Sequence, residues 1–544
     1  MNKDVYFGYN PSVNIKRSKF DMSYRIKTGF NNGLLIPLGE PIEVYPGDTF
    51  SVDVNTFVRM TPTINVPMDD IIFDMWWFFV PNRILWNHWK EFCGENNSDP
   101  WTSPTTYTVP HIFLSGSIST GYSIKADSIL SYMGIPMQTN VSPFGSETAP
   151  SLNALPIRAY CCIWNSFFMD ENYDYPILFD KSDSNTTYST NVLSNYQDAK
   201  YGNSLLPLKR FHDLFSSGLP EPQFGDAVRI PITDSYMFVA DNPSASSTAF
   251  NAYVNGTGTN AGLTTGSYAS GASTTIHLNP EVMGTIDALR LAILSQRYLW
   301  QLGNYGRRYV ELIKGFFGVT APDYLLDRPI LLGTTRFNIN ISPVVQTSAS
   351  EDTTFDGDTL SQSKGSISGY SATRSDNSLF THSFVEHGYL VPVFGTRTHR
   401  SYSQGISKMW MRRNFLDYYN PIFASIGSQP TFTYQLYAGK ASTQVNNSRV
   451  WAYNEAWAEL RYNNDLVTGI LKRQDYLYWT FADSYSGIPT MSSDWLNEGM
   501  ANLNRNLYIA GSETTPQFLA DFYVKMTAVR PLPVHSVPGL SPYL

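Results

Sequence analysis

Apolar and polar positions along the chain predict several strands separated by long helical and loop insertions. The run from Ile71 to Val80 is almost entirely apolar or aromatic, interrupted only by Asp74. Such a run favours a strand with both faces covered. Residues 50–60 and 518–528 instead alternate apolar with polar side chains, which is typical of a strand with one buried face.

Helical spacing of apolar residues predicts helices between these strands. Pro81 ends the buried strand, and Asn82 is placed to cap a helix in which Leu85, Trp89 and Phe92 share one face. Residues 404–427 are aromatic and irregular, in part helical. The other predicted helices cover residues 127–133, 155–168, 285–302 and 309–317, and shorter strands are predicted over 227–232, 337–341 and 384–394.

A long stretch in the middle of the chain carries no charge. Residues 242–280 contain no Asp, Glu, Lys or Arg and are mostly Ser, Thr, Gly, Ala and Asn. This composition has too little apolar surface for a core of its own, so it predicts a loop-rich excursion. The length of 544 residues alone would predict two or three domains, but no Pro- or Ser-rich linker cleanly divides the chain.

The chain is poor in charge and rich in aromatic residues. Charged residues make up 15% of the sequence, against a usual value of about 25%, and aromatic residues also make up 15%. This balance indicates that much of the surface is covered by other chains, and it makes Trp76, Trp77, Trp86 and Trp89 candidate subunit contacts. An extracellular or carbohydrate-facing protein would show the same composition.

The amino terminus is basic although the whole chain is acidic. The net charge of −8 argues against a protein that binds nucleic acid through its bulk charge. Residues 1–27 nevertheless carry six basic and two acidic side chains, interleaved with Tyr and Phe. Basic residues contact phosphates and aromatic rings stack on bases, so this arm is a candidate single-strand interface. The alternative is a solvated arm that packs on a neighbouring subunit. The candidate nucleic-acid-binding residues are Lys16, Arg17, Lys19, Arg25 and Lys27.

Cysteine usage and the amino-terminal sequence indicate assembly in a reducing compartment. The three cysteines are odd in number, and the adjacent Cys161 and Cys162 have poor geometry for a mutual disulfide. The first residues, MNKDVYFGYNPS, lack the apolar core of a signal peptide. No apolar run approaches the roughly 20 residues of a membrane helix, so we expect no membrane insertion.

No motif for catalysis or for metal binding stands out. The spacing of His382, Glu386 and His387 matches none of the zinc-protease motifs, and GSISG places Ile367 where a nucleophile would stand. The glycine-rich NGTGTNAG lacks the dinucleotide-binding spacing. We therefore expect no enzyme activity, no cofactor, no catalytic residues and no metal site.

Ten sequence blocks, in order along nearly the whole chain, resemble the major capsid proteins of the microviruses, and the gokushovirus-like branch above all. The blocks are PGDTF (46–50), MWWFFVPNRILWNHWKEFCGE (75–95), LPIRAYCCIWN (155–165), LKRFHDLFSSGLPEPQ (208–223), TIDALRLAILSQRYLW (285–300), GRRYVELIKGFFGV (306–319), VVQTS (344–348), FVEHGYL (384–390), YSQGISKMWMRR (402–413) and RPLPVHSVPGL (530–540).

This resemblance implies a mainly β fold, a single eight-stranded antiparallel jelly roll of the viral capsid type with large helical and loop insertions. A jelly roll places its first and last strands side by side, so the strand within 49–60 should pair with the strand within 518–529. The implied domains are a basic arm over 1–45 at the inner face and the jelly roll over 46–544. The segment 233–284 would project at the threefold axes, and its candidate host-recognition residues are Phe250, Tyr253 and Tyr268.

The resemblance also implies the partners of the protein. They would be further copies of the chain in a T=1 icosahedral shell, a circular single-stranded DNA genome, a small internal DNA-binding or scaffolding protein, a DNA pilot protein and a host surface receptor. The expected location is the virion, with assembly in the host cytoplasm. Two other classes remain open: a carbohydrate-active jelly-roll enzyme with a convergent carboxylate pair in an aromatic cleft, and a surface adhesin with an export signal.

Overall fold

The fold is mainly β, and most of its strands pair antiparallel. The computed structural model describes residues 15–95, 105–114, 122–139, 151–189, 192–193, 205–226, 228, 233–240, 276–283, 286–345, 353–355, 358–360, 367–439, 449–512 and 515–535. The chain divides into two compact units, one made of residues 1–222 and 307–544 and the other of residues 223–306.

Two large antiparallel sheets dominate the first unit. Their strands are β1 (Ser18–Asp21), β2 (Tyr24–Phe30), β3 (Ile36–Pro37), β4 (Ile42–Val44), β5 (Thr49–Met60), β6 (Ile71–Pro81), β7 (Ile330–Asn338), β8 (Thr373–Ser383), β9 (Gly388–Thr398) and β10 (Phe518–Arg530). One sheet, the β5 sheet, has the order β2–β10–β5–β8, with β1 also paired to β10. The other, the β6 sheet, has the order β7–β6–β9–β3, with β4 also paired to β9.

The pairing expected between the two ends of the chain is confirmed. β5 and β10 run antiparallel in an unbroken register, from Met60 opposite Phe518 to Thr49 opposite Val529. Both strands alternate buried and more exposed side chains, as their sequences predict. The predicted buried strand is confirmed as β6, which is buried along nearly its whole length.

Aromatic rings join the inner faces of the two sheets. On the β6 sheet, Phe73 stacks on Phe394 with ring centroids 5.6 Å apart. Phe394 also meets Phe30 and Phe522 of the β5 sheet, at centroid distances of 5.0 Å in each case. Since burial of apolar surface is the main favourable term in folding, this interface forms the central core.

The outer face of β6 is covered by a helix, which explains why the strand lacks alternation. This helix, α1 (Leu155–Ile163), continues as one π-helical turn, Trp164–Phe168. Phe78 lies 4.8 Å from Phe167, and Trp76 lies 4.9 Å from Phe168, between ring centroids. The predicted helix over 155–168 is therefore confirmed.

The second unit contains α2 (Ile286–Tyr305), the longest helix among the described residues, which confirms the helix predicted over 285–302. Before it, Thr233–Ala240 and Ile276–Met283 pair antiparallel. The last residues of the segment predicted as a loop-rich excursion, 276–280, thus lie in a strand, and its residues 242–275 lie outside the described residues. The strand predicted over 227–232 lies outside the described residues except for residue 228.

Three sequence-based boundaries are wrong. The helix predicted after Pro81 is two separate turns, Asn82–Leu85 and Trp89–Phe92, and Pro81 rather than Asn82 is the first N-cap. The strand predicted over 384–394 begins instead at Gly388. Within the arm predicted over 1–45, residues 18–44 contribute strands to both sheets.

Shorter elements complete the described chain. The strands are His111–Leu114, Tyr122–Ser123, Gln138–Thr139, Ser151–Asn153, Thr186–Ser189, Val192–Leu193, Ile341–Val345, Thr353–Phe355, Asp358–Leu360, Ile367–Ser371, Ser401–Tyr402, Ser428–Phe432, Val450–Glu455 and Asp465–Leu466. The helical turns are Ile129–Tyr132, Tyr309–Leu312, Ile313–Phe317, Asp323–Leu326, Lys408–Met411, Phe415–Asp417, Pro421–Phe423, Thr433–Leu436, Ala458–Leu460, Gly469–Lys472, Gln474–Trp479, Ser493–Leu496 and Ala501–Asn504.

Candidate nucleic-acid and subunit interfaces

The outer side of the β5 sheet combines charged side chains with aromatic rings. Because side chains alternate along β5 and β10, every second residue points away from the core. We call this side the basic face. Its charged and aromatic residues are Lys19, Asp21, Arg25, Lys27, Asp53, Phe57, Arg59, Arg374, Asp376, Asp521, Tyr523 and Lys525.

All five basic residues predicted to bind nucleic acid are exposed. Lys19 lies on β1, and Arg25 and Lys27 lie on β2, so these three belong to the basic face. Lys16 and Arg17 come directly before β1. Their contact with DNA stays a prediction.

Two arginines of the basic face lie over aromatic rings. The guanidinium carbon of Arg25 is 5.1 Å from the ring centroid of Tyr523, and that of Arg59 is 5.1 Å from the ring centroid of Phe57. At these distances each pair gains cation–π attraction. Sequence analysis did not select Phe57, although an aromatic residue at a polar position of an alternating strand is a usable signal.

Positive charge exceeds negative charge on the basic face, which has six basic residues and four aspartates in a chain of net charge −8. Exposed ion pairs join Arg25 to Asp521 at 4.0 Å and Lys525 to Asp53 at 3.8 Å. Such exposed pairs are weak and are screened by salt. The face can therefore attract a polyanion.

The four tryptophans predicted as subunit contacts separate into two groups. Trp77 and Trp86 are fully buried within the chain and so offer no side-chain surface to a neighbour. We therefore correct the prediction for these two and assign them to the core. Trp76 and Trp89 are partly buried against the same core, and for them subunit contact stays a prediction.

A different segment exposes far more apolar surface. We call residues 406–426 the apolar segment; it contains three short 3-10 turns. Its exposed large apolar residues are Ile406, Met409, Trp410, Met411, Phe415, Leu416, Tyr418, Tyr419, Ile422 and Ile426. Among them Trp410 is 75% and Ile422 84% exposed. Exposed large apolar side chains in this number are typical of an interaction site.

Polar contacts hold the apolar segment in place. The carboxylate oxygen Oε1 of Glu459 forms ion pairs with Nζ of Lys408 at 3.1 Å and with Nη2 of Arg412 at 3.3 Å. The indole nitrogen of Trp457 donates a hydrogen bond to the carbonyl oxygen of Phe423 at 3.1 Å. The segment is thus anchored through its charges and backbone, and its apolar side chains are left exposed.

A buried cluster of charges connects the end of β9 with the carboxyl-terminal part of the chain. Arg400 pairs with Asp483 at 2.7 Å and with Glu498 at 2.9 Å, and Arg210 pairs with Asp483 at 2.6 Å. Burial alone would raise the pKa of Asp483, but Arg400 and Arg210 outweigh it and hold that pKa well below its usual range. The two arginines balance the two carboxylates in charge, which is typical of a contact that stabilises the fold.

One close carboxyl pair lies beside a cavity of about 450 Å³. Burial, followed by a hydrogen bond to Glu171, raises the pKa of Glu311. Arg308 contacts both groups, at 2.9 Å from Glu171 and 3.2 Å from Glu311. Glycosidases hold their carboxyl groups roughly 5–9.5 Å apart. A pair in direct contact and bridged by arginine does not fit the carbohydrate-active hypothesis.

The histidines that resemble a protease motif do not converge on one point. Glu386 pairs with Arg83 at 2.8 Å, His387 packs against Tyr45, and His382 packs against Phe384. Among the described residues no cluster of three His, Cys, Asp or Glu side chains could hold a metal ion. The three cysteines are free thiols, two of them buried.

The predicted host-recognition residues Phe250, Tyr253 and Tyr268 lie outside the described residues. The ladder that flanks them brings Ala240 opposite Ile276. Within the described part of the chain, no helix has both the length and the apolar character needed to cross a membrane.

Comparison with known proteins gives a consistent result along the whole chain. A family model described as capsid protein (F protein) matches residues 10–540. Capsid protein VP1 of Chlamydia phage 1 is 30% identical over 605 residues, covering 98% of this chain and 97% of the relative. The VP1 proteins of Spiroplasma virus 4 and Bdellovibrio phage phiMH2K are 30% and 29% identical, and each comparison covers at least 96% of both chains.

Proposed function

This chain belongs to the F-protein family of microvirus capsid proteins, in the gokushovirus-like branch, and from this premise we propose that it assembles into a T=1 icosahedral shell. Membership of the family implies a structural rather than an enzymatic role and a location in the virion. The shell would enclose a circular single-stranded DNA genome and contribute to host attachment. Assembly would take place in the host cytoplasm.

The strand order supports a jelly roll as the building unit. Taking β1 with β2 and β3 with β4 as single edge positions, the two sheets have four positions each. The first and last strands, β2 and β10, are neighbours, and β5 and β6 belong to opposite sheets. This is the connectivity expected of two Greek keys wound into a sandwich. The long connection from β6 to β7 then contains the charge-free stretch 242–280.

The observation that carries the assembly proposal is the apolar segment. A subunit that stayed monomeric would leave Trp410, Phe415 and Ile422 in water, each more than 70% exposed. Burying such a side chain stabilises an interface by about 1.5–3 kcal/mol. Repeated in every subunit, these contacts favour a closed shell with obligate interfaces of roughly 2,000–5,000 Å².

The remaining partners follow from the same role. The exposed basic residues near the amino terminus would lie at the inner face and neutralise phosphates of the genome. A small internal DNA-binding or scaffolding protein and a DNA pilot protein would share that compartment. The segment 233–284 would project outward at the threefold axes and contact a host receptor.

Electron microscopy of the purified recombinant protein tests the assembly proposal. We expect uniform closed shells, whereas persistent monomers at high concentration under all salt conditions would contradict it. Hydrolase activity of such monomers on carbohydrates would favour the enzyme alternative.

Replacing residues 242–280 by a short Gly/Ser linker tests host attachment. We expect shells that still form but no longer adsorb to host cells, because a surface loop contributes binding rather than the core. Unchanged adsorption would reject the receptor role, and failed assembly would assign the segment a structural role instead.

A further inference from the structure

We propose that the basic face is a stacking platform for single-stranded nucleic acid, on which Phe57 and Tyr523 each hold a base while Lys27 and Arg59 contact phosphates. The proposal rests on the proposed enclosure of DNA and names the residues that would receive it. It differs from the arm hypothesis because it assigns base contacts to residues of the sheet itself.

The register of the sheet places the two rings next to each other. Tyr523 lies opposite Asn55, and Phe57 lies opposite Asp521, so the rings occupy diagonal positions on adjacent strands. Diagonal side chains in a sheet are about 7–8 Å apart, within reach of large aromatic residues. Aromatic rings on the open face of a four-stranded sheet are a known way to stack successive bases of a single strand.

Each ring has a guanidinium over its face. The guanidinium carbons of Arg25 and Arg59 lie 5.1 Å from the centroids of Tyr523 and Phe57, respectively. A base that stacks on either ring takes the place of this guanidinium, which stays within reach of the phosphate of the base. Among the described residues, no carboxylate lies within ion-pair distance of Lys27 or Arg59.

The end of the basic face away from the rings carries short side chains. Hydroxyl groups there bond to one another: Thr49 to Ser383 at 2.8 Å and Thr381 to Ser51 at 2.9 Å. No long apolar cluster like the apolar segment stands on this face. The excess of positive charge favours a polyanion over a second copy of this acidic chain.

Binding of oligonucleotides to the unassembled full-length chain tests the proposal. The probes are a 16-nucleotide oligothymidine and an abasic strand with the same number of phosphates. We expect Phe57→Leu and Tyr523→Leu each to weaken oligothymidine binding roughly tenfold. Binding of the abasic strand should not change, because it has no bases to stack. Tyr175→Leu is the matched control, since Tyr175 is 89% exposed and lines the cavity beside Glu171.

The phosphate contacts have a separate readout. Lys27→Gln and Arg59→Gln should each reduce the dependence of log affinity on log salt by about 0.7, because each removes one released counterion. Both variants should weaken binding of the two probes equally. Phe57→Leu should leave the slope of log affinity against log salt unchanged. Arg473→Gln, an exposed arginine elsewhere, should alter neither quantity.

Electron microscopy of the same variants separates this proposal from the proposed function. Normal shells with unchanged preference for oligothymidine over the abasic strand in Phe57→Leu and Tyr523→Leu would overturn the stacking platform alone. Loss of shells in these variants, with oligothymidine binding unchanged, would also overturn it and assign the face to a subunit contact. Failure of the unaltered chain to form shells would instead count against the proposed function.

Discussion

The basic face and the apolar segment are both exposed on the subunit, but their construction is opposite. The basic face belongs to a regular sheet, in which the register sets the position of every side chain. The apolar segment consists of 3-10 turns anchored by Glu459, and it presents rings and aliphatic chains outward. The first surface suits a flexible polyanion, and the second suits another protein surface. The difference predicts separate responses to mutation and to salt.

The largest effect should come from the apolar segment. Replacing Phe415 and Ile422 together by serine should abolish shells at concentrations where the unaltered chain assembles, since each loses about 1.5–3 kcal/mol of burial per contact. Electron microscopy and analytical ultracentrifugation measure the outcome. The control is Leu519→Ser, which removes an apolar side chain of the basic face that is 56% exposed. Shells formed by the double variant would contradict a role of the apolar segment in assembly. Loss of shells in the control would show that the basic face also contributes to assembly.

The next effect concerns DNA. Changing Lys16, Arg17, Lys19, Arg25 and Lys27 to glutamine should weaken binding of single-stranded DNA by the unassembled chain roughly hundredfold at low salt, and flatten its salt dependence. Fluorescence anisotropy at several salt concentrations provides the measurement. Glutamine at Lys472 and Arg473, two exposed basic residues elsewhere, provides the matched control. An equal loss of DNA affinity in the control would show that the effect comes from the net charge of the chain and not from these five positions.

A smaller effect should follow from loosening the anchor of the apolar segment. Glu459→Gln leaves the ammonium of Lys408 and the guanidinium of Arg412 without their carboxylate, so it should lower the free energy of unfolding by about 1–2 kcal/mol. Assembly should weaken by roughly tenfold, while DNA binding stays unchanged. Denaturant titration and light scattering measure both. Asp475→Asn breaks an exposed pair with Arg473 and should change neither.

The smallest effect has the opposite sign. Asp53→Asn removes a carboxylate from the basic face and should strengthen binding of single-stranded DNA by about two- to threefold at low salt. The gain should vanish near 1 M salt, where charges are screened over about 3 Å. Loss of the exposed pair with Lys525 should cost less than about 1 kcal/mol of stability. Weaker binding would show that Asp53 holds neighbouring side chains of the basic face in position, and that this outweighs its repulsion of the phosphates.

Trp86 shows why one predicted helix fails. Local spacing favours a helix continuing from Leu85 to Phe92, yet Trp86 adopts an extended conformation, with φ −146° and ψ 126°. Its fully buried indole donates a hydrogen bond to Asp183 at 2.6 Å. A distant partner thus competes with the helical hydrogen bonds, and no local pattern contains that information.

Much of the architecture was nevertheless present in the sequence. Alternation identified β5 and β10, the unbroken apolar run identified β6, and helical spacing identified α1 and α2, because each signal arises from residues close together in the chain. Family blocks identified the capsid relationship. The tertiary structure alone decided that Trp77 is a core residue, since a run apolar at almost every position does not distinguish the two faces of a strand. Trp86 lies beyond that run, and it is buried where its indole bonds to the distant Asp183.

The tertiary structure also determined which side chains are exposed together on the apolar segment and on the basic face. Irregular turns have no period from which an exposed side could be read, so the outward orientation of Trp410 and Ile422 needed the folded chain. Arg25 and Tyr523 become neighbours only because β2 pairs with β10, from opposite ends of the sequence. Local patterns determine which segments form strands and helices, whereas a binding surface depends on which distant segments the fold brings together.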